Sequence, residues 1–359
     1  MKKALIAMSG GVDSSLAAKL MVEQGYDCIG CTMKLYSNED AGIEHSRTCC
    51  TLEDVEDARS VAYKLGMPFY VFNFTDAFRE TVIRGFVESY EKGVTPNPCI
   101  ECNRFMKFDK LFERAEMLRC DYIVTGHYAR IEEEDGKLVL KKATDETKDQ
   151  SYVLYFMTQK QLARVKFPLG SMRKSEVRQI AEKNGFVNAA KPDSQDICFV
   201  PNGDYAAVIE RYTGRMSVPG YFVDQQGSIL GRHRGIIHYT VGQRKGIGIT
   251  GPEPLYVREI CPKSGNVILG KKDDLFGTKA EVRGFNWISG EAPQTKLRCK
   301  AKIRYRQQEQ WATAIPVNEN IIHIVFDEPQ RAITPGQAAV LYDGDTVLGG
   351  GTIQGQNSE

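Results

Sequence analysis

The residues with the plainest chemistry form a glycine-rich loop near the start of the chain. The loop reads Ser9-Gly10-Gly11-Val12-Asp13-Ser14; it follows a short apolar run, Ala4–Met8, and opens a stretch of helical character. Glycines permit a tight turn, and the unpaired N–H groups of a helix N-terminus favour a bound phosphate. No Gly-Lys-Ser/Thr follows, so this is not the loop in which a lysine grips the phosphates. The sequence predicts a phosphate site, with Asp13 suited to hold Mg²⁺.

Two cysteines form a second reactive group. Cys99 and Cys102 lie in the segment Thr95–Asn103, whose prolines favour an extended loop and whose Asn103 can cap the next helix. Cys102 would then precede a helix N-terminus, with Arg104 and Lys107 nearby, and both effects lower the pKa of a thiol. A Cys-x-x-Cys pattern suits a redox pair and a metal site equally.

A third cysteine, Cys198, lies in the segment Asp193–Phe199, after the last helix of the first half. A loop at this point can return to the carboxyl edge of a parallel sheet, where open α/β folds bind their ligands. The sequence therefore allows Cys198 to lie close to the glycine-rich loop.

Six basic residues occupy every second position from 296 to 306. Because strand side chains alternate, a single strand would carry all six cations on one face and small or apolar residues on the other. An ordinary solvated face usually mixes signs, whereas like charges repel, so the pattern favours a polyanion-binding face. The six residues are Lys296, Arg298, Lys300, Lys302, Arg304 and Arg306.

The elements that must position these groups alternate between strand and helix in the first half. This rhythm predicts an α/β fold, a doubly wound parallel sheet, over residues 1–200. After about Pro201, short apolar runs between Gly and Pro turns predict an all-β remainder: a small central β-rich domain at 201–274 and a C-terminal β-barrel at 275–359. The expected strands are Ala4–Met8, Tyr26–Tyr36, Phe69–Phe74 and Tyr122–Thr125, and the expected helices are Ser14–Gln24, Glu53–Leu65, Asp76–Glu91, Asn103–Leu118 and Lys174–Asn184.

The composition excludes several classes of protein. The chain has 359 residues, 42% hydrophobic and 26% charged, so disorder, collagen and coiled coil are excluded as its main architecture. The net charge of +1 gives no sign of a polyanionic partner. No segment approaches the ~18 apolar residues of a membrane span, and the first apolar run is short for a signal peptide. We expect a cytoplasmic protein with reduced thiols, whose ten cysteines are candidates for chemistry.

Ser-Gly-Gly-x-Asp-Ser between a strand and a helix resembles the pyrophosphate loop (PP-loop) of the ATP pyrophosphatase superfamily, whose adenine nucleotide α-hydrolase-like domains attach AMP to an oxygen and release pyrophosphate. With the cysteine motifs, almost the whole chain is similar to the bacterial tRNA-specific 2-thiouridylases, the MnmA family. The matching segments are Ser9–Ser14, Thr32–Tyr36, Thr95–Asn103, Thr125–Ala129, Lys148–Tyr152, Ser194–Phe199, Tyr239–Gly246 and Pro335–Gln337.

The resemblance implies an ATP-dependent sulfurtransferase that 2-thiolates the wobble uridine of tRNA (position 34). ATP adenylates O2 of the uridine and releases pyrophosphate. The terminal sulfur of a Cys198 persulfide then attacks C2 and displaces AMP. Cys102 acts as the second thiol, freeing the product sulfur and closing a Cys102–Cys198 disulfide, because thiolate exchange breaks an S–S bond readily.

The same resemblance implies binding residues and partners. ATP, Mg²⁺, tRNAs for Lys, Glu and Gln, and a persulfide or sulfide relay from a cysteine desulfurase are expected; a membrane partner is not, and a monomer suffices. The residues expected to bind ATP are Ala7, Met8, Ser9, Gly10, Gly11, Val12, Asp13, Ser14, Met33 and Gly126. Those expected to contact tRNA are Asn97, Pro98, Cys99, His127, Lys148, Asp149, Gln150, Arg304, Tyr305 and Gln337, with Asn97–Cys99 meeting the target base.

One departure from the family leaves a second route open. Position 99 is often aspartate in that motif, whereas here Cys99, Cys102 and Cys198 are candidates to hold a [4Fe–4S] cluster whose open iron carries the sulfide. Another AMP-forming PP-loop ligase is the rival enzyme, although its chemistry requires neither Cys102 nor Cys198. A non-catalytic RNA-binding iron–sulfur protein is disfavoured by the intact nucleotide loop.

The other cysteines have plainer interpretations. Cys28 and Cys31 fall in a predicted strand at an odd offset, so they should face opposite sides of the sheet. Cys49 and Cys50 leave a redox, metal or structural role open. Cys120, Cys261 and Cys299 are interpreted as structural.

Overall fold

A computed structural model describes residues 1–37, 52–193, 196–250 and 252–355. Cys49 and Cys50, whose role the sequence left open, lie outside these ranges. Among the described helices, none is both long enough and apolar enough to cross a bilayer.

The strands and helices follow one another in chain order. The strands are β1 (Lys3–Ala7), β2 (Asp27–Lys34), β3 (Phe69–Asn73), β4 (Tyr122–Val124), β5 (Arg130–Glu134), β6 (Lys137–Lys141), β7 (Val165–Lys166), β8 (Gly220–Val223), β9 (Ile229–His233), β10 (Tyr256–Cys261), β11 (Asn266–Gly270), β12 (Phe276–Trp287), β13 (Leu297–Lys302), β14 (Gln310–Pro316), β15 (Ile321–Arg331), β16 (Ala338–Asp343) and β17 (Thr346–Gly355). The α-helices are α1 (Val12–Glu23), α2 (Leu52–Lys64), α3 (Thr75–Phe78), α4 (Arg84–Glu91), α5 (Pro98–Glu101), α6 (Leu111–Met117), α7 (Gln159–Leu162), α8 (Lys174–Lys183) and α9 (Tyr205–Thr213). Two π-helical stretches, Arg79–Ile83 and Cys102–Lys110, join α3 to α4 and α5 to α6, and short 3₁₀ turns occur at Ser151–Leu154, Pro201–Gly203, Ile236–His238 and Asp273–Leu275.

The first region is built on a five-stranded parallel sheet in the order β3-β2-β1-β4-β7. Leu5 and Ala7 of β1 pack into one core, and Ala4 and Ile6 pack into the core on the other face, as strand alternation requires. The order reverses at β1, since β2 and β3 lie to one side and β4 to the other. Such a reversal leaves a crevice at the carboxyl ends of the two strands, where doubly wound folds bind ligands. The predicted α/β fold is confirmed.

The helix that carries the first cysteine pair begins earlier than predicted. Its first residue is Pro98, in the position that best tolerates proline, and Asn97 stands before it in an extended conformation. Asn103 does not cap this helix, as the sequence suggested, but is buried within it, with its amide 3.4 Å from the carbonyl of Val153.

The C-terminal region is a closed barrel, as predicted. Its sheet has the order β12-β15-β14-β13-β16-β17-β6-β5, and β12 also pairs with β17, so six strands close on themselves. The hairpin β5–β6 comes much earlier in the chain than these six strands. Even so, β6 pairs with β17, with Thr346 opposite Lys141 and Val347 opposite Leu140. The first region and the barrel therefore share one sheet.

The segment between these two regions is β-rich, as predicted, but it is not all-β, because it begins with a helix. A four-stranded sheet, β10-β11-β8-β9, is preceded by helix α9. Asp204 caps α9 by accepting a hydrogen bond from the N–H of Ala207 (3.0 Å), and Gly214 ends it with a φ of +65°. Its apolar side chains, among them Val208 and Ile209, join a core of the first region.

Candidate functional site

The glycine-rich loop leaves β1 at Ala7 and enters α1 at Val12, so it lies at the carboxyl edge of the sheet. Gly10 has a φ of +77°, and a Cβ there would lie 2.4 Å from the carbonyl oxygen of Asp54. The Ser14 hydroxyl accepts from the N–H of Ser9 (3.1 Å) and donates to the carbonyl of Gly11 (3.0 Å). The loop is thus shaped by its own hydrogen bonds and by its close contact with Asp54, and the first N–H groups of α1 have no partner within the helix.

Gly126, which follows β4, lies directly against the start of α1. A Cβ at this position would be 2.8 Å from the backbone carbon of Asp13 and from the nitrogen of Ser14. The loops after β1 and β4 therefore meet at the reversal of strand order. Met33 lies near the end of β2, paired with Phe72 of β3, and is partly buried against the core.

Asp13, in the first turn of α1, is held by two donors. Lys174 Nζ donates to both carboxylate oxygens (2.7 Å each), and the Tyr128 hydroxyl donates to Oδ1 (2.7 Å). Burial and the nearby Asp13 charge raise the pKa of Tyr128, which keeps that hydroxyl a donor. Oδ2 retains an unused lone pair and the side chain is 32% exposed, so Asp13 fits the role of a Mg²⁺ ligand.

Asp193 extends the same charged network. It pairs with Lys174 (2.8 Å), Lys148 (2.7 Å) and Arg178 (2.8 Å). Burial alone would raise the pKa of Asp193, but the hydrogen bonds from Lys148 and Lys174 outweigh it and lower the pKa to about 2. Because Asp193 opens the segment that leads to Cys198, the network ties this segment to the nucleotide loop.

Cys102 lies inside a helical stretch, not before one, and its surroundings differ from the prediction. Burial raises the pKa of Cys102 to about 11; Lys107 opposes the rise only in part, and Cys99 adds to it. The expected lowering of this pKa is therefore wrong, because desolvation of the thiolate outweighs the nearby positive charge. The thiol is protonated at neutral pH.

Cys198 returns to the carboxyl edge of the sheet, as the sequence allowed. The hydroxyl of Tyr36, just beyond β2, donates to the carbonyl of Cys198 (2.8 Å). Cys198 and Cys102 are both partly buried and pack against the same core. The two thiols that the resemblance pairs in sulfur transfer thus border one core.

The iron–sulfur alternative stays a prediction. Across the described residues, no group of three or more His, Cys, Asp or Glu side chains is placed to hold a metal ion. Cys99 is exposed, whereas Cys102 and Cys198 are partly buried. Cys28 and Cys31 face the two opposite cores of the sheet, which confirms that prediction.

His127 is an internal residue in this structure. It is 6% exposed, its Nδ1 lies 2.7 Å from the Thr125 hydroxyl, and its ring packs against Phe108 and Phe167. Burial, assisted by Lys107, lowers the pKa of His127 well below its usual value. The ring is therefore neutral, and its contact with tRNA stays a prediction.

The segment 148–150 is likewise engaged internally. Lys148 belongs to the charged network of Asp193, and Asp149 accepts the hydroxyl of Ser151 (2.8 Å). Gln150 Oε1 accepts the N–H of Tyr128 (3.0 Å). These side chains brace the loop after β4, and their contact with tRNA is untested.

The strand that carries the row of basic residues is shorter than predicted. β13 ends at Lys302, so Arg304 and Arg306 lie in the following turn and not on the strand face. The alternating core face is present, because Cys299, Ala301 and Ile303 are each 1% exposed. The prediction of a longer strand was wrong because it continued the two-residue alternation of a strand into a turn.

The signs on this face are also mixed. Arg298 pairs with Asp327 (2.5 Å), and Lys300 Nζ lies 3.4 Å from Glu309. Both cations lie over the ring of Trp311, which is 52% exposed. Part of the predicted positive face is therefore neutralised by acidic residues of β15 and of the turn before β14.

Arg304 lies at the joint where the central segment meets the barrel, and Tyr305 follows it in the chain. Arg304 Nη2 donates to the carbonyls of Val241 (3.1 Å) and Ala332 (3.2 Å) and to the Thr334 hydroxyl (2.5 Å), and burial lowers its pKa. Tyr305 is 38% exposed. Arg304 thus links the central segment to the barrel, while Tyr305 remains on the surface.

Gln337 faces the first region. Its Nε2 donates to the carbonyls of Thr95 (2.9 Å) and Pro96 (3.3 Å), beside the expected base-contacting residues. Of those, Pro98 is buried, Asn97 is partly buried and Cys99 is exposed.

Sequence reasoning missed two residues of the nucleotide end. Lys174, the first residue of α8, is 8% exposed and reaches Asp13, but no local pattern connects the two positions. Asn188 donates to the carbonyl of Gly10 and to the Ser15 hydroxyl (2.9 Å each). Tyr128 was within reach of sequence reasoning, because it follows Gly126 in the motif Thr125–Ala129.

Three family profiles match successive parts of the chain. They are described as a tRNA methyl transferase HUP domain (residues 2–202), a tRNA methyl transferase PRC-barrel domain (206–271) and an aminomethyltransferase beta-barrel domain (278–353). A solved 4-thiouridine synthetase–RNA complex with bound ATP aligns at 17% identity over 56% of this chain and 46% of that one, with a TM-score of 0.34, too low to bear on function.

Curated relatives match over nearly their full length. The tRNA-specific 2-thiouridylase MnmA of Clostridioides difficile is 49% identical over 355 residues, covering 98% of each chain. That of Acetivibrio thermocellus is 49% identical over 356 residues, covering 98% of this chain and 99% of its own. With the nucleotide loop at the sheet reversal and two cysteines beside one core, this similarity shows that the chain belongs to the tRNA-specific 2-thiouridylase family, MnmA.

Proposed function

We propose that this chain is an ATP-dependent sulfurtransferase that replaces O2 of the wobble uridine of tRNA with sulfur. The observation that carries the proposal is the connection between its two reactive ends. Asp193 is tied through Lys174 to Asp13 of the nucleotide loop, and a few residues later Cys198 packs against the same core as Cys102. The proposal assigns activation and sulfur transfer to the two ends of this connection.

Activation begins with ATP at the loop after β1. O2 of the uridine attacks the α-phosphorus, the bond to the β-phosphate oxygen breaks, and pyrophosphate leaves. The first N–H groups of α1 offer hydrogen bonds and a positive dipole end to the phosphates. When bound through Asp13, Mg²⁺ supplies charge neutralisation for the departing pyrophosphate.

Sulfur transfer follows on the activated uridine. The terminal sulfur of a Cys198 persulfide bonds to C2, and the C2–O bond to AMP breaks. The Cys102 thiolate then attacks the Cys198 sulfur, so the S–S bond to the product breaks and a Cys102–Cys198 disulfide forms. A thiol reductant returns two electrons and two protons to the pair.

The high pKa of Cys102 suits this order of events. A thiol with a pKa of about 11 is a poor nucleophile at neutral pH, so it does not discharge the persulfide early. It must lose its proton after C2 has been attacked, and this loss is a distinct step of the cycle.

The substrate and setting follow from the family. We propose tRNAs for Lys, Glu and Gln as substrates, a cysteine desulfurase relay as sulfur donor, and a cytoplasmic monomer as the acting form. Residues 1–200 would catalyse, and 201–274 and 275–359 would hold tRNA. Asn97–Cys99 would meet the base, and Tyr305 and Arg306, which are exposed on the barrel, would contact the RNA.

The test is product analysis with cysteine variants. The protein is incubated with unmodified tRNA, ATP, Mg²⁺ and a sulfur source, and digested tRNA is searched for 2-thiouridine by mass spectrometry. Cys102→Ser and Cys198→Ser should each lower the rate by at least ~10³-fold, since each removes a reacting sulfur. Cys261→Ser, at a partly buried thiol of the central sheet, is the matched control. No ATP-dependent product, or full activity in either active-site variant, contradicts the proposal.

Anaerobic iron and sulfide analysis separates the two sulfur routes. The persulfide route expects no stoichiometric iron in the active protein. One cluster per chain, lost together with activity, would replace that route by the cluster route.

A further inference from the structure

The loop that precedes the helix bearing Cys99 and Cys102 is hydrogen-bonded to the barrel. The N–H of Thr95 donates to the carbonyl of Pro335 (3.0 Å). In return, Gln337 Nε2 donates to the carbonyls of Thr95 (2.9 Å) and Pro96 (3.3 Å). We call residues 95–97 the thiol loop, because the helix bearing Cys102 starts directly after it.

The two segments approach too closely for a side chain between them. Gly336 has a φ of +88°, and a Cβ there would lie 2.8 Å from the carbonyl oxygen of Thr95 and 2.3 Å from a methyl group of Val94. Glycine at this point lets Gln337 reach the thiol loop.

The barrel side of this contact is itself held firmly. The N–H of Gly336 donates to the carbonyl of Ile353, and the N–H of Ile353 donates to the carbonyl of Gln337 (2.8 Å each). Thr334 is 1% exposed and accepts from the Arg304 guanidinium. The segment is therefore a rigid part of the barrel before it touches the thiol loop.

We infer that Gln337 is a positioning residue, whose amide sets the thiol loop against the barrel and thereby sets Cys102 relative to Cys198. The inference rests on the proposed function for the roles of the two thiols. It adds a role to the direct tRNA contact that the family resemblance implies, because the two carbonyls take both N–H groups of the side-chain amide and leave only its oxygen for another partner. The barrel then takes part in sulfur transfer in addition to carrying tRNA.

The test uses one substitution at two glutamines of the barrel. Gln337→Met keeps the length of the side chain and removes its donors. Gln354→Met is the matched control, because Gln354 is exposed on β17 and its amide donates to Thr352 of its own strand (3.2 Å). Gln337→Glu is the second variant, with a carboxylate of equal shape facing the two carbonyls. Thermal melts confirm that each variant folds.

The first readout needs no tRNA. In a Cys99→Ser background, Cys102 is the remaining thiol of its tryptic peptide, and its rate of alkylation by iodoacetamide is followed by mass spectrometry. Loss of two hydrogen bonds should loosen the thiol loop and raise that rate about 5- to 10-fold in Gln337→Met, but less than about twofold in Gln354→Met. A residue that merely contacts tRNA would leave the rate unchanged.

The second readout is the KM-against-kcat split for sulfur transfer in the otherwise unaltered enzyme. We expect kcat to fall about tenfold, with the KM for tRNA within about twofold of the original value. The inference is overturned by an unchanged alkylation rate, by a raised KM at unchanged kcat, or by faster alkylation that leaves kcat intact. Absence of sulfur transfer in the unmodified chain would instead overturn the proposed function, while the alkylation rates would still judge the role of Gln337.

Discussion

The nucleotide end and the thiol end of this site are built from different kinds of contact. The nucleotide loop takes its shape within the first region, through the Ser9–Ser14 hydrogen bond and through Asp54, Gly126 and Asn188, which close against it. The two thiols come from distant segments, and the thiol loop is supported by the barrel through Gln337. Damage to the barrel should therefore spare nucleotide binding and impair sulfur transfer.

The two ends also treat charge in opposite ways. At the nucleotide end, lysines lower the pKa of Asp193 to about 2 and keep its carboxylate ionised. At the thiol end, burial raises the pKa of Cys102 to about 11 and keeps its sulfur neutral. In the proposed reaction, one end holds phosphates and a cation, and the other delays a nucleophile.

Gly126→Ala should produce the largest separation between the two ends. Its Cβ would collide with the backbone at the start of α1 and displace the loop, so ATP affinity should fall about 10²-fold by calorimetry. The alkylation rate of Cys102 should stay within about twofold. Gly85→Ala, where an added Cβ meets nothing within 4 Å, is the control. ATP binding unchanged in Gly126→Ala would mean that the two loops need not touch.

Lys174→Met should weaken ATP binding by about 20-fold, because Asp13 loses a charge-assisted partner and the loop loses its tie to Asp193. Lys141→Met is the matched control: Lys141 also joins two carboxylates, those of Glu132 and Glu134, but lies in the β5–β6 hairpin and does not contact Asp13. Equal losses of ATP affinity in the two variants would show that Lys174 acts only on general stability.

The alkylation rate of Cys102 should rise about tenfold for each pH unit between pH 8 and pH 10. Its folded pKa of about 11 lies above the ordinary value, so the reactive thiolate is still increasing throughout this range. Lys107→Gln should lower the rate further at any given pH, since Lys107 partly stabilises the thiolate. A plateau below pH 9 would contradict the buried, neutral thiol.

Arg306→Gln should have the smallest effect, about a threefold loss of tRNA affinity with a salt dependence reduced by about one ion. Arg306 is exposed, so the melting temperature of the Arg306→Gln variant should equal that of the unmodified protein. Arg304→Gln, by contrast, should lower the melting temperature, because the Arg304 guanidinium makes three hydrogen bonds at the joint. Equal melting temperatures for the two variants would remove the distinction between surface and joint.

The sequence was most informative where function depends on neighbouring residues. The chemistry of the loop from Ser9 to Ser14 can be predicted because the turn, the start of the helix and the acidic residue are contiguous in the sequence. The parallel sheet followed from alternating strands and helices, and the opposite faces of Cys28 and Cys31 followed from strand alternation alone.

Prediction failed where burial by distant segments decides the outcome. The surroundings of Cys102 include residues that its local sequence does not reveal, so nearby lysine and arginine suggested a lowered pKa and the fold produced a raised one. The same holds for Arg304, which pattern placed on an open strand and the fold placed in a joint. Helix α9 was missed for a different reason. Asp204 and Gly214 are typical of the first and last positions of a helix, but the prediction did not use them.

The hairpin β5–β6 has a consequence for how the protein is made. β6 leaves the ribosome early, but its partner β17 contains some of the last described residues of the chain, Thr346–Gly355. The edge of β6 that faces the barrel therefore waits, unpaired, until β17 has been made, and the hairpin cannot complete its sheet ahead of the barrel. A chain broken off before β17 would carry an open strand edge, which is a template for aggregation.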